Sequence, residues 1–178
     1  MKLEYSLTNE DFLEHQLYEA SKSKRVKSKR FKTRIITPII YLILGLVSFA
    51  SGYKILFPLI MFLFAILWYL FYPTRSRKIH IKHYNNHIKD TYKNRINKPI
   101  EIEFNKDYVY IEDNGSESKI KTSELKSLIE LKNHFLIKLK TDLSLIVPKR
   151  EINNIDVFKT LFVNLNIPII EELNWIFK

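Results

Sequence analysis

The chain contains no cysteine. Disulfides, thiolate nucleophiles and thiolate metal ligands are excluded, so stability must come from burial. Glycine is nearly as scarce, with 3 in 178 residues. A phosphate-cradling GxxxxGK loop and a GxSxG nucleophile elbow both need closely spaced glycines, and neither is present. No internal repeat or low-complexity linker stands out. Charge, too, is missing from two long stretches. Residues 35–51 and 55–72 carry none, and only Gly52, Tyr53 and Lys54 separate them.

What the chain has in excess is positive charge, +10 overall. It is concentrated beside the uncharged stretches. Lys22, Lys24, Arg25, Lys27, Lys29, Arg30, Lys32 and Arg34 precede the first, with no acid among them, and Arg75, Arg77 and Lys78 follow the second. Residues 99–178 are slightly acidic. Nucleic-acid binding would want the cations on a folded face. Cations at the borders of apolar segments fit anionic lipid headgroups instead.

At about 1.5 Å per residue the two stretches make helices of roughly 26 and 27 Å, close to the ~30 Å of a hydrocarbon core. They read as a transmembrane hairpin. Tyr53, Trp68, Tyr69 and Tyr72 suit headgroup level, and Lys54 can snorkel at the tip. Pro38 and Pro58 are expected in the first turns of the two helices, where a missing N–H costs little. Gly45 and Ser48 offer a small-residue face for close helix contact. The flanking cations predict both termini in the cytoplasm and a location in the bacterial inner membrane. The flanks do not suit a signal peptide.

The remainder divides into segments 1–34, 73–98 and 99–178. Residues 2–7 alternate as a strand, and Thr8 with Asp11 resembles a helix start. The helix that follows is expected to run on through the lysines into the membrane. Residues 73–98, with Ile79, Tyr84, Ile88 and Tyr92 among basic residues, suit a helix along a membrane surface. From Pro99 the period changes to two. Ile100, Ile102 and Phe104 begin a series of strands, Asn114-Gly115 marks a hairpin turn, and further strands are expected at 116–121, 125–131, 135–140 and 143–147. Asn153 or Asn154 then caps a helix bearing Phe158, Leu161, Phe162 and Leu165. Ile169, Ile170, Leu173, Trp175, Ile176 and Phe177 form an apolar end, expected to pack on the sheet domain or to lie on the membrane. The fold class is α+β: a two-helix membrane hairpin beside an antiparallel sheet domain closed by a helix.

The Leu-Thr-Asn-Glu-Asp opening at 7–11, the early hairpin, and Leu-Ile-Val-Pro-Lys-Arg at 145–150 before a Phe-containing helix resemble the YcxB-like bacterial membrane proteins. The resemblance implies a cytoplasmic sheet domain similar to a pleckstrin-homology (PH) fold, with seven strands capped by a helix. It implies no biochemical activity.

Three candidate sites arise from the residues. His80, His83 and His87 would share one helix face, where imidazoles can bind a metal, against a plainer reading as surface histidines. Lys149 and Arg150 follow Pro148 and suit a phosphate or headgroup, or else a solvated turn. Lys29, Arg30, Lys32, Arg34, Arg75, Arg77 and Lys78 form the basic membrane border. No cofactor is expected, and the acids are too scattered for a catalytic pair. The leading expectation is a non-enzymatic membrane protein presenting a PH-like module to lipid or to a protein partner. An immunity protein against a co-encoded toxin is the second, and a headgroup or metal sensor the third.

Overall fold

The computed structural model describes residues 1–113 and 115–177, among which lie eight strands and four α-helices. In chain order these are β1 (Lys2–Ser6), α1 (Asn9–Lys22), α2 (Lys24–Ala50), α3 (Leu56–Thr91), β2 (Pro99–Phe104), β3 (Tyr108–Asp113), β4 (Ser116–Lys121), β5 (Leu125–Glu130), β6 (His134–Leu139), β7 (Ser144–Pro148), α4 (Ile155–Asn164) and β8 (Ile169–Glu171). They form two compact units. One comprises Met1–Gln16 and Tyr84–Ile176; the other comprises Leu17–His83 and Phe177.

The first unit holds two four-stranded sheets, ordered β1-β2-β3-β4 and β7-β6-β5-β8. Period-two alternation sends Ile100, Ile102 and Phe104 inward and leaves the residues between them more exposed. β1 pairs antiparallel with β2, Leu3 opposite Ile102 and Tyr5 opposite Ile100. The N-terminal strand thus joins the sheet across the whole helical part of the chain. At its other side the Tyr5 hydroxyl donates to the Ile146 carbonyl at 2.7 Å, linking β1 to β7.

Helix α4 closes the sheets. Asn154 caps it, its side-chain oxygen accepting from the N–H groups of Asp156 and Val157. Phe158 and Phe162 are fully buried, and their rings meet Phe104 of the first sheet at 5.7 Å each. Phe158 also meets Phe135 of the second sheet at 5.0 Å. Burying each such ring contributes about 2–3 kcal/mol, so this cluster is a principal tie between helix and sheets.

The last turns of α3 belong to the same unit. Ile88 is fully buried, the Tyr92 ring stacks on Phe12 of α1 at 4.7 Å, and the Asn97 N–H donates to the Leu7 carbonyl at 2.9 Å. This part of 73–98 is held by contacts within the sheet unit.

The second unit is an antiparallel helix pair. Arg30 meets Ser76, Thr33 meets Trp68, Arg34 meets Tyr69 and Tyr41 meets Phe64. At Gly45 a Cβ would lie 2.8 Å from the Phe62 ring, so the glycine permits the close approach of the two helices. Ser48 and Ala65 are buried as well.

Three expectations need correction. The basic stretch does not continue α1: the chain breaks at Ser23, whose hydroxyl caps α2 by accepting from the Val26 N–H. α2 therefore starts at Lys24, and Pro38 lies inside it rather than in its first turn. α3 passes through Pro73 without ending. The apolar C-terminus packs on the sheet domain as expected, in part as a strand: β8 pairs parallel with β5, Leu128 opposite Ile169. Of the expected Asn114-Gly115 turn, Asn114 lies outside the described residues; Gly115 has the positive φ, +79°, that such a turn requires.

Candidate membrane-contact site and a buried ion-pair cluster

α2 and α3 are both long and apolar enough to cross a membrane. Within their most apolar windows only 17% and 11% of residues are buried. Ile36, Ile39, Leu46, Phe49, Leu59, Ile66 and Phe71 are among the large side chains left exposed. The helices approach closely at Gly45, and most side chains of the two apolar windows remain exposed. In water an apolar surface of that extent would drive association.

The border cations divide by partner. Arg30 donates from Nε to the Ser76 hydroxyl at 3.0 Å, and its guanidinium sits 4.9 Å from the Phe177 ring centre. Arg34 lies 4.4 Å over Tyr69. Both are turned onto the helix pair. Lys29 and Lys32 are exposed on α2, and Arg75, Arg77 and Lys78 are exposed on α3.

His80, His83 and His87 all lie on α3. Nδ1 of His80 is 2.8 Å from the Ser76 carbonyl, and the Thr91 hydroxyl is 3.3 Å from Nδ1 of His87. Among the described residues no group of three or more His, Asp or Glu side chains is arranged to hold a metal ion.

Lys149 and Arg150 sit in a short 3₁₀ turn after β7. Both pair with acids, Lys149 largely buried and Arg150 about half exposed. Lys149 donates to Glu130 Oε1 at 2.7 Å, while Lys159 of α4 donates to Glu130 Oε2 at 2.7 Å and to Glu171 of β8 at 2.7 Å. Glu130 is almost fully buried. Burial alone would raise its pKa; hydrogen bonds from Lys149 and Lys159 outweigh it and lower it. Lys159, hydrogen-bonded to Glu130 and Glu171, is pushed up to about 12.

Arg150 reaches further. Its Nη1 and Nη2 donate to the two carboxylate oxygens of Asp11 at 2.8 and 2.7 Å, and Nη2 also donates to the Ser6 carbonyl at 3.3 Å. Asp11, 2% exposed, also accepts from Nε2 of His134 at 2.6 Å and from the Thr8 N–H at 2.7 Å. The Thr8 hydroxyl accepts from the Asp11 N–H at 3.3 Å, completing a reciprocal cap on α1. Nδ1 of His134 lies 3.1 Å from Glu14, an ion-pair distance without hydrogen-bond alignment. Burial would raise the Asp11 pKa, but hydrogen bonds from Arg150, His134 and Thr8 hold it well below the usual carboxylate range. Burial would likewise lower that of His134; its hydrogen bond to Asp11 and the charges of Asp11 and Glu14 raise it to about 9. His134 is therefore an imidazolium at neutral pH.

This cluster escaped the sequence reading. Thr8 and Asp11 were visible as a helix start, but His134 and Arg150 have no local signal tying them to residue 11. Burial of an acid in a first turn is decided by what the sheet places over it.

The segment that supplies His134, Lys149 and Arg150 also carries the similarity to a known family. Residues 104–162 match the YcxB-like protein family. The YcxB-like segment runs from the end of β2 to Phe162 of α4, so it includes Glu130 and the aromatic plug but neither α2 nor Asp11. No curated protein and no solved structure matches the chain.

Proposed function

We propose that this is a non-enzymatic, two-span protein of the bacterial inner membrane, with both termini cytoplasmic, that presents a PH-like module for protein or lipid contacts. The exposed apolar surface of α2 and α3 carries the proposal. Lipid can cover that surface, and every backbone polar group in a helix is satisfied internally, as a bilayer core demands. The basic residues beside both apolar windows, against a single lysine at the tip, support the cytoplasmic orientation.

The PH-like reading is supported by strand count and order. A four-stranded sheet is followed by three antiparallel strands and a closing helix, with β8 added on β5. The module acts by tethering. Held by the hairpin, it stays within nanometres of the headgroups, which raises its effective concentration for membrane-bound partners. The free edge of β4, exposed along most of its length, is the place where an extended partner segment adds main-chain hydrogen bonds.

Alkaline carbonate extraction of membranes holding the full chain tests the proposal. An integral hairpin stays in the pellet. Release into the supernatant, with the chain otherwise intact, would show a peripheral or soluble protein.

A further inference from the structure

The cations of α2 fall into two classes. Arg30 and Arg34 face the helix pair, as described above. Arg25, Lys29 and Lys32 have no ion pair among the described residues. Their side chains instead wall a groove of about 420 Å³ along α2, together with Ser28, Thr33, Ile36 and Thr37. No carboxylate lines it. Positions 25, 29, 32 and 36 descend one face of the helix in successive turns. The groove thus has its cations, interleaved with Ser28 and Thr33, toward the start of the helix and reaches the exposed Ile36 and Thr37 where the uncharged window has just begun.

We propose that this groove is a binding site for one anionic phospholipid, its phosphate held by Arg25, Lys29 and Lys32 and its first acyl carbons lying on Ile36. The lining runs from cations to the start of the apolar window, as such a lipid runs from phosphate to hydrocarbon. The Arg25 fork engages two phosphate oxygens, and the lysines act as mobile point charges whose stems lie along the helix. The Thr33 hydroxyl already donates to the Lys29 carbonyl at 3.0 Å, and Ser28 lies beside Arg25 and Lys29 at the cationic end. The proposal rests on the membrane reading and moves the headgroup site from Lys149 and Arg150, which are paired internally, to α2.

Native mass spectrometry of the full chain, released from detergent with phosphatidylglycerol and phosphatidylcholine as probes, tests it. Wild type is expected to retain phosphatidylglycerol at least ~10-fold better than phosphatidylcholine. Combined Arg25→Gln, Lys29→Gln and Lys32→Gln is expected to abolish that preference. Combined Arg75→Gln, Arg77→Gln and Lys78→Gln, which removes the same charge from α3, is expected to keep it. Equal loss in both triple variants would mean diffuse border charge and would overturn the groove. So would an undiminished preference in the α2 variant. Displacement of the lipid by millimolar glycerol 1-phosphate would reassign the site to soluble phosphates and overturn the lipid. Carbonate extraction of each variant separates the two levels. A variant that stays integral but keeps its preference removes the groove alone, whereas a wild type that extracts removes the membrane reading with it.

Discussion

Arg150 holds both carboxylate oxygens of Asp11, at 2.8 and 2.7 Å, from 139 residues further along the chain. The pair ties the start of α1 to the turn after β7. Because Asp11 is buried and Arg150 is about half exposed, the two ends of the bond are not equivalent. Loss of the arginine strands a buried carboxylate; loss of the aspartate lets the guanidinium turn to water.

Arg150→Ala is accordingly expected to destabilise the full chain by about 3 kcal/mol, the scale for removing one partner from a buried pair. His134 and Thr8 still serve Asp11 and limit the cost. Arg150→Lys should recover only a minor part, since an ammonium cannot reproduce the bidentate fork. Thermal unfolding in lipid nanodiscs measures both. A lysine variant as stable as wild type would contradict the bidentate role.

Acidity separates the two other members of the cluster. His134 has a raised pKa, so its contribution is complete below its unfolded value of ~6.5 and lost as pH rises through about 9. Asp11 has a lowered pKa, so its contribution is complete above ~4 and fades as pH falls. The stability difference between wild type and His134→Gln should therefore be largest at pH 6, shrink from pH 6.5 to 9, and be smallest at pH 10. Melting curves at fixed ionic strength across that range check the sign. A difference that grows with pH would mean the imidazole is neutral in the fold.

Glu130 serves two lysines at once. Glu130→Gln is expected to cost about 2 kcal/mol, because each ammonium loses a charged acceptor in a partly closed site. A double-mutant cycle with Lys149→Met should give a coupling of ~1 kcal/mol or more. Additive losses would show that the two residues do not interact in solution.

Gly45 tests the helix pair. A Cβ there would meet the Phe62 ring at 2.8 Å and Met61 Cβ at 3.3 Å. Gly45→Val should weaken the pairing by about 1–3 kcal/mol through overpacking. Adding Phe62→Ala should restore part of it by opening the space. Detergent-titrated unfolding in mixed micelles reports the change. No loss in the valine variant would mean the helices do not pack at this face.

The sequence predicted the strands well because alternation and burial agree. Ile100, Ile102 and Phe104 are apolar and face inward, and each expected strand after Pro99 was found within a residue or two. β8 was not legible: Ile169 and Ile170 follow Pro168 in an apolar run that fits loop, helix or strand equally, and the pairing with Leu128 and Ile129 is nonlocal. The helix limits were misread around Ser23, Pro38 and Pro73. A capping serine looks like any other serine in a basic run, and a proline inside a long apolar helix is tolerated where neighbouring contacts hold its shape. The border cations were legible as charge, but not their division. Whether Arg30 turns to Ser76 or Lys32 turns away depends on the facing helix. The roles of Asp11, Glu130 and Arg150 were hidden for the same reason.

The absence of cysteine makes the central claim directly measurable. Single substitutions Tyr53→Cys, in the loop between the long helices, and Lys121→Cys, at the exposed end of β4, each place one thiol in an otherwise thiol-free chain. A membrane-impermeant maleimide applied to intact spheroplasts should label the Tyr53→Cys protein at once, and the Lys121→Cys protein only after the membrane is permeabilised. Labelling of both before permeabilisation, or of neither, would contradict a two-span hairpin with the sheet domain in the cytoplasm.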